Sequence, residues 1–420
     1  MTQLTVQGKA RLRGEIPISG AKNAALKIIP AAILAKSESI IHNVPRISDV
    51  ERMEDILQSI GTDVLTNDRT ITINPAGINS AHPDPKLMKK LRGSIVTIGP
   101  LLAKFGKASF SQPGGCLIGA RPIDDHLDVF SQLGVKIKQR GEDYFLDGKP
   151  KAGNVVLSKM SVTATENAIM ASVLSPGTTR ISVAAAEPEI ADLAKYLNRM
   201  GAKISGAGTH DIQVDGVKEL HGVEHNVLPD RIEAGTYIVA AIAGNWEITI
   251  GPLVPEHLAI VLRKLELMGA NFDVVQRSGL YYVQTKKRNK LRPINIDTRT
   301  YPGFPTDLQS PFAVLLTQAE GESRIFETIF EGRFLYLSEL EKMGAKYEQL
   351  SPHIVNVSGP TQYKGKKINC PDIRGGVALV LAALIADGET TIGQCDYVDR
   401  GYELIDNKLQ AVGAKINRTE

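Results

Sequence analysis

The sequence predicts an α/β protein of two domains, each built from three copies of one strand-and-helix unit. Three observations carry this. The chain has 420 residues, more than one hydrophobic core ordinarily fills, so two domains are the default. Six segments repeat an apolar helix end, a glycine and a new strand. Between them, six long apolar helices recur, most followed by a short strand.

The glycines are Gly61, Gly134, Gly201, Gly269, Gly344 and Gly413, at spacings of 73, 67, 68, 75 and 69 residues. Each follows an apolar residue closing a helical turn (Ile60, Leu133, Met200, Met268, Met343, Val412). Glycine there reads as a left-handed C-terminal cap. The long helices are expected over residues 22–35, 91–105, 164–174, 232–243, 308–319 and 373–386. They are apolar nearly all round and should therefore be buried. Strands follow at Ser39–Ile41, Ala108–Phe110, Thr179–Ile181, Ile248–Ile250, Ser323–Ile325 and Thr390–Ile392. Helices stacked inward with sheets outward satisfy this pattern. A period near 70 matches no common solenoid.

The 43% apolar and 23% charged residues are those of a globular protein. Forty-nine basic against 46 acidic residues give a net charge of +3, no case for nucleic acid or an anionic membrane as partner. Met1–Val6 lacks the features of a signal peptide, and no apolar run reaches a membrane span of about 18 residues. Cys116, Cys370 and Cys395 are widely spaced and odd in number. They form no zinc or redox pair, and no metal or cofactor is expected; the chain reads as cytoplasmic with free thiols. Oligomeric state is not encoded in these features.

The helix entrances carry unusual polar residues: Lys22-Asn23, Arg92, Ser161-Thr163-Thr165, Asp230-Arg231, Thr306-Asp307 and Asp372-Arg374. Helix N-termini attract anions. Ser161, Thr306 and Asp230 are equally explained as ordinary caps. Lys22, Arg92 and Arg374 are not, because a cation there opposes the dipole unless a negative ligand intervenes. The stretch Pro113–Pro122 places Cys116 and Arg121 among three glycines and two prolines. It reads as a mobile loop with a thiol beside a cation, or, taken alone, as a surface turn with an incidental cysteine.

Several longer motifs resemble one family: Gly20-Ala21-Lys22-Asn23, Gly114-Gly115-Cys116-Leu117-Ile118-Gly119-Ala120-Arg121-Pro122-Ile123-Asp124, Pro229-Asp230-Arg231-Ile232-Glu233, Tyr301-Pro302-Gly303-Phe304-Pro305-Thr306-Asp307 and Asp399-Arg400-Gly401-Tyr402-Glu403. These are similar to the UDP-N-acetylglucosamine 1-carboxyvinyltransferases, the enolpyruvyl transferases of peptidoglycan synthesis, and the resemblance spans the chain in order. It implies an inside-out α/β barrel fold of two domains with βαβαββ-type units. The domains would be residues 21–229, and 1–20 with 230–420, with the active site between them. It also implies transfer of the enolpyruvyl group of phosphoenolpyruvate to the 3-hydroxyl of UDP-N-acetylglucosamine, with release of phosphate.

Residue by residue, the resemblance makes Cys116 the general acid and Asp307 the base toward the sugar hydroxyl. Lys22, Arg121 and Arg400 surround the phosphate. Arg333 and Arg374 lie toward the phosphoenolpyruvate carboxylate, and Arg92 supports the loop. Asn23, Pro122, Ile123, Asp124, His126, Lys159, Ser161, Val162, Thr163, Phe330 and Asp372 fall where the family binds substrate. Read from the motif alone, Asp307 is also a possible cap, Arg333 a surface ion-pair residue and His126 a structural histidine. Ser48 departs from the basic residue many relatives carry there. Leu117 and Asp125 also vary. A cysteine at position 116 implies alkylation by fosfomycin.

Three other readings compete. The sister transferase uses shikimate 3-phosphate on the same fold, but this chain has the loop cysteine and the nucleotide-sugar motifs. An RNA 3′-terminal phosphate cyclase would want a basic stripe. A nucleotide-sugar sensor would not need an acid and a base together.

Overall fold

The computed structural model describes residues 2–112 and 123–419. Cys116, Arg121 and Pro122 lie outside the described residues. The chain divides into two compact units. The outer unit comprises residues 2–19 and 229–419, and the inserted unit residues 20–112 and 123–228.

All six repeat glycines adopt positive φ, from 78° at Gly134 to 110° at Gly344. The left-handed conformation is strained for any residue with a Cβ. Each glycine stops a helix and turns the chain into a strand within one or two residues. The six long helices are present as Lys22–Ala31, Ile98–Phe105, Val162–Ser172, Arg231–Ala243, Gln309–Leu316 and Ile373–Ile385. Two open with tighter 3-10 turns, Arg92–Thr97 and Thr306–Leu308, so the expected starts at 91 and 308 are not α-helical.

Each unit has three sheets among the described residues, and one strand order recurs. In Asn154–Val156, Thr178–Ser182, Asp211–Asp215 and Lys203–Ser205 the first pair is parallel and the others antiparallel. The same order recurs four more times, and a three-stranded sheet lacks only the first strand. Three sheets borrow a strand from far along the chain, one of them by pairing Arg13–Pro17 with Glu247–Leu253. Glu224–Asn226 pairs with Ser39–His42, and Gln3–Gln7 lies between Glu389–Gly393 and Lys415–Thr419.

The helices are buried because both their faces are apolar. Every residue of Arg231–Ala243 is buried, as is Arg374–Leu384. In the outer unit Gln309–Leu316 packs against both Arg231–Ala243 and Ile373–Ile385. In the inserted unit Ile98–Phe105 packs on Val162–Ser172. Each unit has its own hydrophobic core. Truncating fully buried Leu379 to Ala would cost about 2–5 kcal/mol. Among the described residues no helix is long and apolar enough to cross a membrane.

Candidate active site

The outer unit gathers three predicted residues at one point. Asp307 sits in the Thr306–Leu308 turn that opens a buried helix. Arg374 Nη2 donates to its Oδ2 at 2.8 Å, and Arg333 Nη2 donates to its Oδ1. Both arginines are buried, whereas a quarter of the Asp307 side chain reaches solvent. Asp307 is therefore not an N-cap, and Arg333 is not a surface ion-pair residue. Burial pulls the Arg374 pKa down, but Asp307 and Tyr402 outweigh it and hold the guanidinium above its ordinary range. The Arg374 guanidinium stacks 5.2 Å from the Tyr402 ring centroid, and that of Arg333 lies 5.4 Å from Phe330.

Arg374 reaches this point because Asp372 caps its helix, accepting from Arg374 N at 2.8 Å and Gly375 N at 3.0 Å. Asp230 caps its own helix in the same way, and Arg231 lies over the Tyr301 ring at 5.4 Å. Thr306 and Ser161 make no side-chain cap bond. Thr306 instead donates to Glu327 Oε2 at 2.9 Å. Arg400 ends the Cys395–Arg400 turn, which packs on the Ile373–Ile385 helix. Its neighbour Asp399 takes two bonds from Arg418, at 2.8 and 2.9 Å.

In the inserted unit, Lys22 is the first residue of its helix and is buried. Its Nζ donates to Asp49 Oδ2 at 2.7 Å, and Arg52 Nη1 holds the other oxygen at 3.0 Å. A protein carboxylate thus meets the cation at this N-terminus, so the expectation that only a ligand would explain it is too narrow. Gly20 is required just before it, since a Cβ there would lie 1.6 Å from the Asn43 carbonyl oxygen. Asn23 is half-buried, and its carbonyl accepts from Lys27 Nζ at 2.8 Å. Ser48 begins the helix that carries Asp49 and Arg52.

Arg92, His126, Lys159 and Thr163 form a second cluster. His126 is buried. Asn167 accepts the Gly99 N–H at Oδ1 and donates through Nδ2 to His126 Nδ1 at 2.9 Å. That assigns the ring proton to Nε2, which faces Thr163 Oγ1 at 3.1 Å. Burial drives the His126 pKa down to about 4, with Asp125 opposing and Arg92 and Lys159 adding to the shift. Both ring nitrogens are thus occupied by protein, and the histidine positions Thr163. Lys159 pairs with Asp125 at 2.9 Å, and Ser158 bonds the other Asp125 oxygen. Ile123 is buried at the start of the helix whose first residue is the exposed Asp124. Ser161, Val162 and Thr163 are half-buried at their helix entrance, while Thr165 is buried and bonds the Ser161 carbonyl.

Sequence reasoning missed Asp49, Arg52, Asp125, Asn167 and Glu327. Asp49 and Asp125 each lie beside a singled-out segment, which was the available signal; the others had none. Among the described residues no group of three or more His, Cys, Asp or Glu could hold a metal. Cys370 and Cys395 are buried free thiols with sulfurs 3.9 Å apart. The hydrogen bond from its partner, and then burial, push the Cys370 thiol pKa up.

Residues 6–409 match the family model described as EPSP synthase (3-phosphoshikimate 1-carboxyvinyltransferase). UDP-N-acetylglucosamine 1-carboxyvinyltransferase 2 of Carboxydothermus hydrogenoformans is 43% identical over 420 residues, covering 100% of this chain and 99% of the relative. The protein of the same name from Bacillus subtilis is 41% identical over 419 residues, covering 100% and 97%. Among solved structures, the enolpyruvyl transferase NikO from Streptomyces tendae superposes with a TM-score of 0.89 at 25% identity, covering 100% and 99%. EPSP synthase from Acinetobacter baumannii shares the fold, with a TM-score of 0.77 at 16% identity over the whole of both chains. The chain belongs to the EPSP synthase family of 1-carboxyvinyltransferases, among the UDP-N-acetylglucosamine 1-carboxyvinyltransferases.

Proposed function

We propose that this protein transfers the enolpyruvyl group of phosphoenolpyruvate to the 3-hydroxyl of UDP-N-acetylglucosamine, releasing phosphate, as the first committed step of peptidoglycan synthesis. The reaction belongs in the cytoplasm. The observation that carries the reading is the Asp307 carboxylate bracketed by two buried arginines, in a chain similar throughout to relatives of that name.

The reaction is an addition followed by an elimination. A proton is added to the methylene carbon while the sugar oxygen bonds to the adjacent carbon. Loss of a proton and of phosphate then restores the double bond. Cys116 serves as the acid and Asp307 takes the hydroxyl proton. Lys22, Arg121 and Arg400 stabilise the departing phosphate. Arg333 and Arg374 suit a carboxylate because their planar forks bond two oxygens at once. While they hold Asp307 they occupy both of its carboxylate oxygens. A substrate carboxylate that draws them away frees those oxygens to accept the proton when the hydroxyl is in place. The Arg92, His126, Lys159 and Thr163 cluster, with Asn23, Pro122, Ile123, Asp124, Ser161, Val162, Phe330 and Asp372, receives the nucleotide sugar.

The test is phosphate release from phosphoenolpyruvate with UDP-N-acetylglucosamine or shikimate 3-phosphate as acceptor, for wild type and Cys116→Ala. Release with the nucleotide sugar alone, lost in the variant, is expected. Release only with shikimate 3-phosphate would move the chain to the sister activity. No release with either acceptor would leave a binding protein.

A further inference from the structure

Glu327 is a fully buried carboxylate in the outer unit that the proposed chemistry does not use. Four neutral donors converge on it. Thr298 Oγ1 bonds Oε1 at 2.8 Å, as do the backbone N–H groups of Ile329 at 2.9 Å and Phe330 at 3.2 Å. Thr306 Oγ1 bonds the other oxygen, Oε2, at 2.9 Å. A carboxylate is expensive to bury, and it persists here only because its lone pairs are filled.

The donors are not scattered. Thr306 directly precedes Asp307. Ile329 and Phe330 open the segment leading to Arg333, and the Phe330 ring lies under the Arg333 guanidinium. Arg333 in turn bonds Asp307. The circuit Glu327–Thr306–Asp307–Arg333–Phe330 therefore closes on itself. A second layer pins the base of the segment: Thr328 N donates to Thr298 Oγ1 at 2.9 Å, and His353 Nδ1 donates to the Glu327 carbonyl at 2.8 Å.

From this we infer that Glu327 is the positioning residue of the site: one side chain fixes both the turn carrying the base and the segment carrying the arginine that clamps it. The inference rests on the function proposed above. Glu327 does not touch substrate. It acts through Thr306 on Asp307, and through the 329–330 backbone on Arg333. Misplacing a reacting group by about 1 Å can cost a hundredfold in rate.

The test uses the full chain with phosphoenolpyruvate and UDP-N-acetylglucosamine. Thr306→Val removes one donor and nothing else, and is expected to lower kcat about tenfold. Thr306→Ser restores the hydroxyl and should recover most of that loss. Glu327→Ala should lower kcat about a hundredfold, and Glu327→Gln less, because an amide keeps the Oε1 bonds. In an Asp307→Asn background Thr306→Val should change the rate less than twofold, since its effect runs through Asp307. Wild-type kcat in Thr306→Val, or the same tenfold loss in the Asp307→Asn background, would overturn the positioning role while leaving the proposed function standing. Absence of turnover in wild type would sink that function instead. A crystal structure of Thr306→Val reads position directly in either case. A displaced Asp307 carboxylate is expected, and an unmoved Asp307–Arg333 pair overturns the inference.

Discussion

Arg374 Nη2 donates to Asp307 Oδ2 at 2.8 Å while stacking on the Tyr402 ring, so one guanidinium is fixed at its edge and its face. Lysine can reproduce the charge but neither the fork nor the stack. Arg374→Lys should therefore lower kcat/KM for phosphoenolpyruvate by at least about tenfold, and lose about 1.5–3 kcal/mol of stability with the charged hydrogen bond. Steady-state phosphate release and urea unfolding read the two effects; wild-type values in both would remove Arg374 from the site.

Asp49 is itself nearly dry and bridges the buried Lys22 and the partly exposed Arg52. Asp49→Asn leaves two cations sharing a neutral amide. Breaking such a buried pair costs about 3–5 kcal/mol. The expected outcome is a lower thermal midpoint together with a raised KM for phosphoenolpyruvate, because Lys22 is no longer held. A normal KM in a folded Asp49→Asn protein would show that Lys22 needs no such anchor.

Three cysteines offer an internal control for reactivity. Cys370 and Cys395 are fully buried, and the Cys370 thiol is held protonated. An epoxide such as fosfomycin should alkylate Cys116 alone. Peptide mass spectrometry after treatment is expected to find the adduct on the 113–122 segment, with the other two thiols intact. Modification of Cys370 or Cys395 in native protein would contradict their burial.

His126 gives a pH signature. Its folded pKa of about 4 lies below the ordinary value of 6.5. The folded state refuses a proton that the unfolded chain accepts. Stability from this group is whole above pH about 6.5 and is lost as pH falls toward about 4, by up to about 3 kcal/mol. His126→Asn removes this acid-side slope along with its bonds. Urea unfolding of both proteins at pH 7, 6, 5 and 4.5 should show wild type losing more stability than the variant. Parallel curves would place the wild-type pKa near normal.

What the sequence shows and what it hides divide along range. The repeat glycines and the apolar helices were legible because a cap and a buried helix are written in neighbouring residues: Gly61 follows Ile60, and Ile373–Ile385 is apolar on every face. Asp307, Arg333 and Arg374 were singled out through motif resemblance, yet their mutual contact was not visible, because it joins residues up to 67 positions apart. Lys22 looked unexplained at its helix start because its anion comes from another helix. Glu327 gave no local sign at all, since its partners come from backbone and hydroxyl groups brought in by folding. The two 3-10 turns escaped notice because a tightened turn differs from an α-helical one only in whether each N–H bonds the carbonyl three or four residues back.

The borrowed strands set an order of events. Among the described residues Gln3–Gln7 pairs with 389–392 and 415–419, and Arg13–Pro17 pairs with 247–251. Residues 3–17 must therefore wait for partners made hundreds of residues later. The inserted unit closes its last sheet once residue 226 has been synthesised. During translation it can complete itself while the opening strands remain unpaired edges, so the span between residues 228 and 419 is the interval in which the nascent chain is most exposed to aggregation.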